Sequence, residues 1–428
     1  MHIYFSGIGG AGIGPLAQVA MEAGYQVSGS DKQMSLYIEY LQKHGIDNIT
    51  IGQSDKDISS IHEKKPIDWF VYTSALTAES AELKYCKRQK IKTSKRDEFL
   101  NALIKEHDLK LIAIAGTHGK TTTTALVVWL FSELKIPLSY ILPAKVSFGD
   151  MGKFDKTSRY FVYEADEFDR NFLSFTPHLS LITGVSWDHH EIFPTRENYK
   201  EAFREFISQS KQTLVWRDDY DYLGLEGTPA NLLVQNADNP VISALALKGR
   251  FNRLDAWLAL VAVQRITKEP LAKLIGIVNR FPGLSRRMEL IKPNLYSDYA
   301  HTPEKIRGAM SVASELATEH SQNIVVVYEP LTNRRQHFMI DEYKDCFDGA
   351  SAIYWLPSYK AREDPKQRTI EPSELIEHLS DPTIAQPAQR DQKLKKLIEK
   401  HLKNNDMVVG MNGSGGDGLD EWLRHEFR

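Results

Sequence analysis

Cysteine is nearly absent: Cys86 and Cys346 are the only two in 428 residues, too few for a disulfide framework and suited to a reducing compartment. An excess of either charge is also missing. Lys and Arg number 53 against 56 Asp and Glu, a formal net charge of −3, so the chain as a whole has no attraction for nucleic-acid phosphates and no nucleic-acid partner is expected. Long hydrophobic runs do not occur. The apolar stretch 125–131 (ALVVWLF) falls far short of the roughly 20 residues that a membrane span needs, so no membrane insertion is expected. The opening MHIYFSGIGG lacks the basic start, long apolar run and cleavage site of a secretory leader, and the expected location is cytoplasmic. Internal repeats and low-complexity tracts are lacking too. With 42% hydrophobic and 25% charged residues, extensive disorder is excluded.

What is present is an alternation of short apolar runs and helical patterns, which predicts α/β architecture with parallel sheets. Strands are predicted at 2–6, 25–29 and 69–73, with helices over 15–23 and near 78–89. A polar, charged segment, 92–110, leads to a second start at 109–116 (LKLIAIAG), a continuous apolar run of the kind a central parallel strand carries. Further strands are predicted at 159–163, 179–184 and 212–216, followed by a helix over 252–266. The turn FPGL at 281–284 marks a second boundary, and strands near 295–299, 323–328, 352–355 and 407–411 follow it. The fold class expected is α/β in three domains. These are a Rossmann-like N-terminal domain (1–106), a central P-loop-type ATPase domain with a mostly parallel sheet (107–280), and a C-terminal Rossmann-like α/β domain (281–428).

Two glycine motifs carry chemistry. Gly7, Gly9, Gly10 and Gly12 form G-x-G-x-x-G between a predicted strand and helix, and Asp31 ends the next predicted strand. Such a loop brings backbone N–H groups and a helix N-terminus to a pyrophosphate, while the acid suits a ribose hydroxyl. NAD, FAD and a UDP-sugar all present that pyrophosphate. The second motif, Gly116-Thr117-His118-Gly119-Lys120-Thr121-Thr122, follows an apolar strand and opens a helix. Its N–H groups can cradle the phosphates of ATP, Lys120 can reach the β and γ oxygens, and a Thr hydroxyl can ligate Mg2+. The run Glu164-Ala-Asp166-Glu167-Phe-Asp169 and the run Trp187-Asp188-His189-His190 each follow a predicted strand, at the sheet edge that carries the phosphate loop. There a carboxylate and an imidazole could hold a metal beside the nucleotide.

The combination of GIGGAGIG (7–14), GTHGKTTTT (116–124), EADE (164–167), DHH (188–190), RRME (286–289) and DYAHTPE (298–304) resembles the Mur ligase family of peptidoglycan synthesis over nearly the whole chain. The resemblance implies a first domain for a UDP-sugar, a second for ATP and Mg2+, and a third that closes over both. The GIGGAG form and Tyr359-Lys-Ala-Arg-Glu363 are most similar to members that join L-alanine to the lactyl carboxylate of UDP-N-acetylmuramate through an acyl phosphate. Alternatives are a relative that recycles a murein tripeptide onto the same sugar, a regulatory ATP-binding relative without ligase activity, and a nicotinamide oxidoreductase that would leave Lys120 idle. Residue by residue, the resemblance makes Lys120 the γ-phosphate contact and Thr121, Glu164 and His189 the metal set. It assigns Arg287 to the nucleotide phosphates, Asp298 to the ATP side and His301 to the incoming amine, and Asn252 and Asp255 to the adenine site. Gly7, Gly9, Gly10, Gly12 and Asp31 fall to the UDP-sugar. Departures from the family pattern are Phe251 for a histidine, Asp255 for an asparagine, Ser297 for a second aspartate, Thr302 for a second histidine, and Arg362 for a glycine. Arg204 lies about where some relatives place a modified, metal-bridging lysine, so no such lysine is expected. The stretch 412–417 resembles the family's closing glycine loop.

Overall fold

The computed structural model describes residues 1–73, 76–189, 192–225, 231–359, 367–413 and 418–427. His190, the segment 360–363 and residues 414–417 of the glycine loop lie outside them. The chain divides into two compact units, Met1–Leu245 with Leu254–Phe281, and Ala246–Arg253 with Pro282–Arg428. The expected succession of three mostly parallel α/β sheets is present, two in the first unit and one in the second. Among the described residues no helix is long and apolar enough to cross a membrane.

The first sheet comprises β1 (His2–Ser6), β2 (Gln26–Asp31), β3 (Ile49–Ile51), β4 (Trp69–Tyr72) and β5 (Lys92–Lys95) in the order β3-β2-β1-β4-β5. All its pairings are parallel. Strand order reverses between β1 and β4, which opens a crevice beyond the carboxyl end of β1, where the first glycine loop begins. β1 is buried along its whole length, which is why its apolar pattern does not alternate. The loop then enters the helix Gly14–Glu22, whose Pro15 occupies the first turn, where a missing N–H costs no helical bond.

The second sheet is built from β6 (Lys110–Ala115), β7 (Ser139–Ile141), β8 (Gly152–Lys153), β9 (Tyr160–Glu164), β10 (Leu179–Ile182), β11 (Thr213–Trp216) and β12 (Leu232–Gln235), ordered β12-β11-β10-β6-β9-β7-β8. Among the described residues of this sheet, only the short β7–β8 pair is antiparallel. β6 lies between β9 and β10, so the phosphate loop that follows it, the acids that follow β9 and the Thr183–His189 stretch that follows β10 leave one edge together. Both sheets of this unit feed one apolar cluster, in which Phe5, Phe99 and Leu103 from the first share a core with Phe161, Phe172 and Phe203 from the second.

The second unit carries β13 (Glu289–Lys292), β14 (Leu295–Asp298), β15 (Ile324–Glu329), β16 (Ala350–Trp355), β17 (Ala385–Pro387) and β18 (Met407–Asn412), ordered β13-β14-β18-β15-β16-β17. β13 and β14 form the antiparallel hairpin at one edge, and the other pairings are parallel. Trp355, Tyr328, Tyr343 and Phe347 make an edge-to-face aromatic core on one side of this sheet. Residues Ala246–Arg253, which end in the first turn of the helix Arg250–Thr267, belong to this unit. Arg253 grips Glu315 through two bonds of 2.9 Å, and Lys248 pairs with Glu319.

Candidate active site

The phosphate loop is strung between β6 and the helix Lys120–Glu133. Gly119 precedes that helix at φ 76°, a left-handed conformation that glycine adopts without cost. A Cβ at this position would lie 2.3 Å from Asp255 Oδ1, so the buried Asp255 carboxylate packs directly on the loop. Thr117 is buried and tied down on two sides. Its Oγ1 donates to Ser186 O at 2.8 Å and lies 2.8 Å from the buried Tyr199 hydroxyl. His118 Nε2 is 3.1 Å from Ser186 Oγ. These contacts set the loop before any ligand arrives, which is the geometric condition for oriented N–H donors to favour transferred charge.

Lys120 Nζ donates to Gly116 O and to Glu167 Oε2, both at 2.6 Å, and lies 3.9 Å from Asp166 Oδ1. Burial opposes its charge, but Glu167, Asp166 and Glu164 outweigh burial and raise its pKa, so the ammonium persists at neutral pH. Burial pushes the other way on Asp166, yet the Lys120 and Arg96 cations hold its carboxyl below the ordinary range. Thr121 Oγ1 donates to Glu164 Oε2 at 2.9 Å. His189 stands at φ 55°, a sparsely populated region for a residue with a Cβ and one often found where function holds a side chain in place. Its Nε2 is 3.7 Å from Glu167 Oε1 and 3.9 Å from Asp188 Oδ2, while its buried Nδ1 has no hydrogen-bond partner among the described residues. Asp166, Glu167 and His189 bring one ligand atom each to within 4.8 Å of one another. The carboxylate and hydroxyl oxygens fit a hard divalent cation, for which an imidazole nitrogen is an uncommon ligand. The carboxylates near His189 are therefore Asp166, Glu167 and Asp188, whereas Glu164 accepts from Thr121.

At the first glycine loop, Gly7 N and Ile8 N donate to Ser30 O at 2.8 and 3.0 Å, and Gly10 N closes a turn onto Gly7 O at 3.0 Å. Asp31 Oδ2 accepts from Gly9 N at 2.8 Å, so this acid shapes the loop itself. Gly12 completes the loop one residue before the helix cap.

In the second unit, Asp298 is buried and its Oδ2 accepts from Met288 N at 2.8 Å. Burial raises its pKa against the pull of Arg287. Arg287 is flanked by Arg286 at φ 58° and Met288 at φ 45°, and both arginines approach the Tyr299 ring, at 5.8 Å for Arg287 and 4.5 Å for Arg286. His301 is buried, with Nδ1 3.0 Å from Tyr299 O and Nε2 3.4 Å from Lys305 Nζ. Burial, then Lys305 and Arg335, push its pKa well below the ordinary value, so the imidazole is neutral at pH 7. Asn252 Nδ2 donates to Lys248 O at 2.8 Å, and Phe251 beside it is exposed. Arg204 holds Leu223 O and Glu197, each at 2.6 Å.

Sequence reasoning quoted Asp166 and Glu167 but gave neither a role; their acid run was the available signal. Tyr199, Arg96 and Glu82 had none. Tyr199 lies in no predicted element, Arg96 in the polar segment 92–110, and Glu82 in the helix predicted near 78–89. Glu82 is in fact fully buried, its carboxylate accepting from Tyr4 at 2.7 Å, Ser30 at 2.5 Å and Ser6 at 2.6 Å.

Three family models match in succession: the Mur ligase family catalytic domain over residues 2–108, the Mur ligase middle domain over 114–244, and the Mur ligase glutamate ligase domain over 286–415. A UDP-N-acetylmuramate–L-alanine ligase of Desulforamulus reducens is 30% identical over 401 residues, covering 85% of this chain and 84% of that protein. One from Psychrobacter arcticus is 27% identical over 97% of this chain and 92% of its own length. Among solved structures, the UDP-N-acetylmuramate-alanine ligase of Thermotoga maritima shares the fold at a TM-score of 0.77 and 21% identity, covering 100% of this chain and 98% of that one. A murein peptide ligase from Psychrobacter arcticus does so at 0.67 and 20%, with the same coverage.

Proposed function

The chain belongs to the Mur ligase family, and from that premise we propose that it is an ATP-dependent, amide-bond-forming ligase that joins L-alanine to the carboxylate of UDP-N-acetylmuramate in peptidoglycan precursor synthesis. The observation that carries this reading is the charged Lys120 held on the phosphate loop by Glu167, beside Asp166, Glu164 and His189. An oxidoreductase using the first glycine loop would leave that assembly without work.

In the reaction, a carboxylate oxygen of the sugar nucleotide attacks the γ-phosphorus of ATP, the bond to the β,γ-bridging oxygen breaks, and ADP leaves. The amine nitrogen then attacks the acyl carbon, and the tetrahedral intermediate collapses with loss of inorganic phosphate and a proton. Lys120 exchanges Gly116 O and Glu167 for phosphate oxygens and neutralises charge as it moves onto the transferring group. Thr121, Glu164 and His189, with Asp166 and Glu167 adjoining, are the residues that would hold Mg2+. A cation there would lower the charge repelling the incoming carboxylate. His301, neutral at pH 7, is in the form that accepts a proton from the amine. Arg287 and Asp298 are assigned to the nucleotide, Asn252 and Asp255 to adenine, and Gly7, Gly9, Gly10, Gly12 and Asp31 to the UDP-sugar.

The test is steady-state phosphate release from ATP with UDP-N-acetylmuramate, adding L-alanine, a murein tripeptide or no amine. L-alanine-dependent release that is lost in Lys120→Ala is expected. Release that needs the tripeptide would move the protein to the peptide-recycling ligases, as the fold it shares with a murein peptide ligase allows. No release with any amine would overturn the ligase reading.

A further inference from the structure

Within the first compact unit, three consecutive residues join the first sheet to the ATP-site acids. Lys95 is ion-paired with Asp169. Arg96 Nε donates to Asp97 Oδ2 at 3.2 Å, and its Nη2 is 3.8 Å from Asp166 Oδ2. Asp97, itself buried, accepts from the Tyr163 hydroxyl at 2.7 Å. The segment 163–169 is the one that carries Glu164 and the two acids nearest Lys120. On its other side, the Arg96 guanidinium lies across the first glycine loop: a Cβ on Gly12 would stand 2.2 Å from Nη1. The third glycine of the motif thus makes room for an arginine.

Charge explains why that matters. Residues 7–14 include no cation, so the loop itself offers a diphosphate only N–H dipoles and the N-terminus of the helix Gly14–Glu22. Arg96 brings a full positive charge to that loop on a side chain only 23% exposed, where screening is weak. Its bond to Asp97 is 3.2 Å and its contact with Asp166 is 3.8 Å, beyond hydrogen-bond range, so the latter can be exchanged for a phosphate oxygen, for which the guanidinium fork is well shaped.

We propose that Arg96 binds the diphosphate of the sugar nucleotide on the first glycine loop and is shared with Asp166 when that loop is empty, so that occupation of one substrate site is felt at the acid beside Lys120. The assignment rests on the sugar-nucleotide reading above. It adds a residue that reads the diphosphate and a physical link between the two substrate sites, 3.9 Å from Asp166 to Lys120.

Calorimetric titration of the full chain with UDP-N-acetylmuramate, UDP, uridine and ATP tests it, on wild type, Arg96→Gln, Arg96→Lys and Gly12→Ala. Arg96→Gln is expected to weaken UDP and the sugar nucleotide by about 10- to 100-fold, the size of one lost charge-assisted contact, with uridine affinity unchanged. Arg96→Lys should recover part of the loss, and Gly12→Ala should mimic it by displacing the guanidinium. In wild type, saturating UDP should shift ATP affinity, and Arg96→Gln should abolish that shift. Equal losses for uridine and UDP would make Arg96 a merely structural residue and overturn the proposal, as would an ATP affinity that ignores UDP in wild type. Failure of wild type to bind the sugar nucleotide at all would refute the functional reading itself. Normal wild-type binding with no effect in Arg96→Gln would sink this inference alone.

Discussion

Removing the Glu82 carboxylate should destabilise the first unit more than a typical substitution does, because Tyr4, Ser6 and Ser30 all donate to it from the buried floor beneath the glycine loop. Hydrogen bonds to a charged acceptor contribute about 1.5–3 kcal/mol each, so three are worth on the order of 4.5–9 kcal/mol gross. Two effects reduce that. Burial raises the pKa of Glu82 despite its three donors, so part of the gain is already spent on desolvation. Ser6 also accepts from Gln53 Nε2 at 3.0 Å and is not wholly orphaned by the change. A net cost of about 3–4 kcal/mol for Glu82→Ala remains. Glu82→Gln, which keeps the shape and one acceptor oxygen, should cost about 1–2 kcal/mol. The pH dependence has a definite sign. With the folded pKa above the ordinary 4.5, the native state binds more protons between those values, so the wild-type contribution is full below pH 4.5 and declines as pH rises through the folded pKa. The deficit of Glu82→Gln should therefore be largest below pH 4.5 and shrink as pH rises through the folded pKa. Urea unfolding of the full chain at several pH values measures both effects. A Glu82→Ala midpoint indistinguishable from wild type, or a Glu82→Gln deficit that grows with pH, would refute the reasoning.

Other consequences are as direct. Gly119→Ala should reduce ATP turnover by about 100-fold with circular dichroism unchanged, since it sets both a strained φ and a clash with Asp255 in the loop that orients phosphate; turnover within twofold of wild type would contradict the loop geometry. Tyr199→Phe should cost about 1 kcal/mol of stability and lower kcat more than the KM for ATP, because its hydroxyl sits 2.8 Å from Thr117 Oγ1 and 3.3 Å from Glu167 Oε1. Unaltered kcat would remove it from the loop's support. His301, whose pKa is depressed below 6.5 by burial and by Lys305, Arg335 and Arg287, contributes stability that is fully present above pH 6.5 and is lost as pH falls below it. His301→Asn should flatten that acid limb, and an unchanged slope between pH 7 and pH 5 would show that the ring is hydrated.

The parts of the fold that the sequence displayed are those where burial on both faces forces a continuous apolar run, as in β6, β15 and β18. Strands at sheet edges were invisible for the converse reason. β5 reads KTSK and holds its place through parallel pairing with β4, not through an apolar pattern. β3, β8, β12 and β17 are likewise short or half-exposed edge strands. The 92–110 segment, expected as a polar lead-in, contains β5 and the helix Arg96–Glu106, whose Phe99, Leu100, Leu103 and Ile104 are buried. At the site, glycine and lysine spacing exposed the phosphate loop because its chemistry is local. Asp97, Glu82 and Tyr199 act through partners 66, 52 to 78 and 32 to 82 residues away, a separation no local pattern encodes.

The second unit is not one stretch of chain. Its residues Ala246–Arg253 run into the first turn of the helix Arg250–Thr267, and the chain returns to the first unit within that helix at Leu254, so the polypeptide crosses the division at three points. A fragment beginning at Pro282 would leave Glu315 and Glu319 without Arg253 and Lys248, and would uncover the Val312 side chain against which Gly249 lies. Cleavage at the 281–284 turn would likewise nick the protein without releasing a complete second unit. Exchange of this unit between relatives therefore requires two grafts, one of eight residues and one of the whole C-terminal stretch, and the shorter graft carries Asn252 with it.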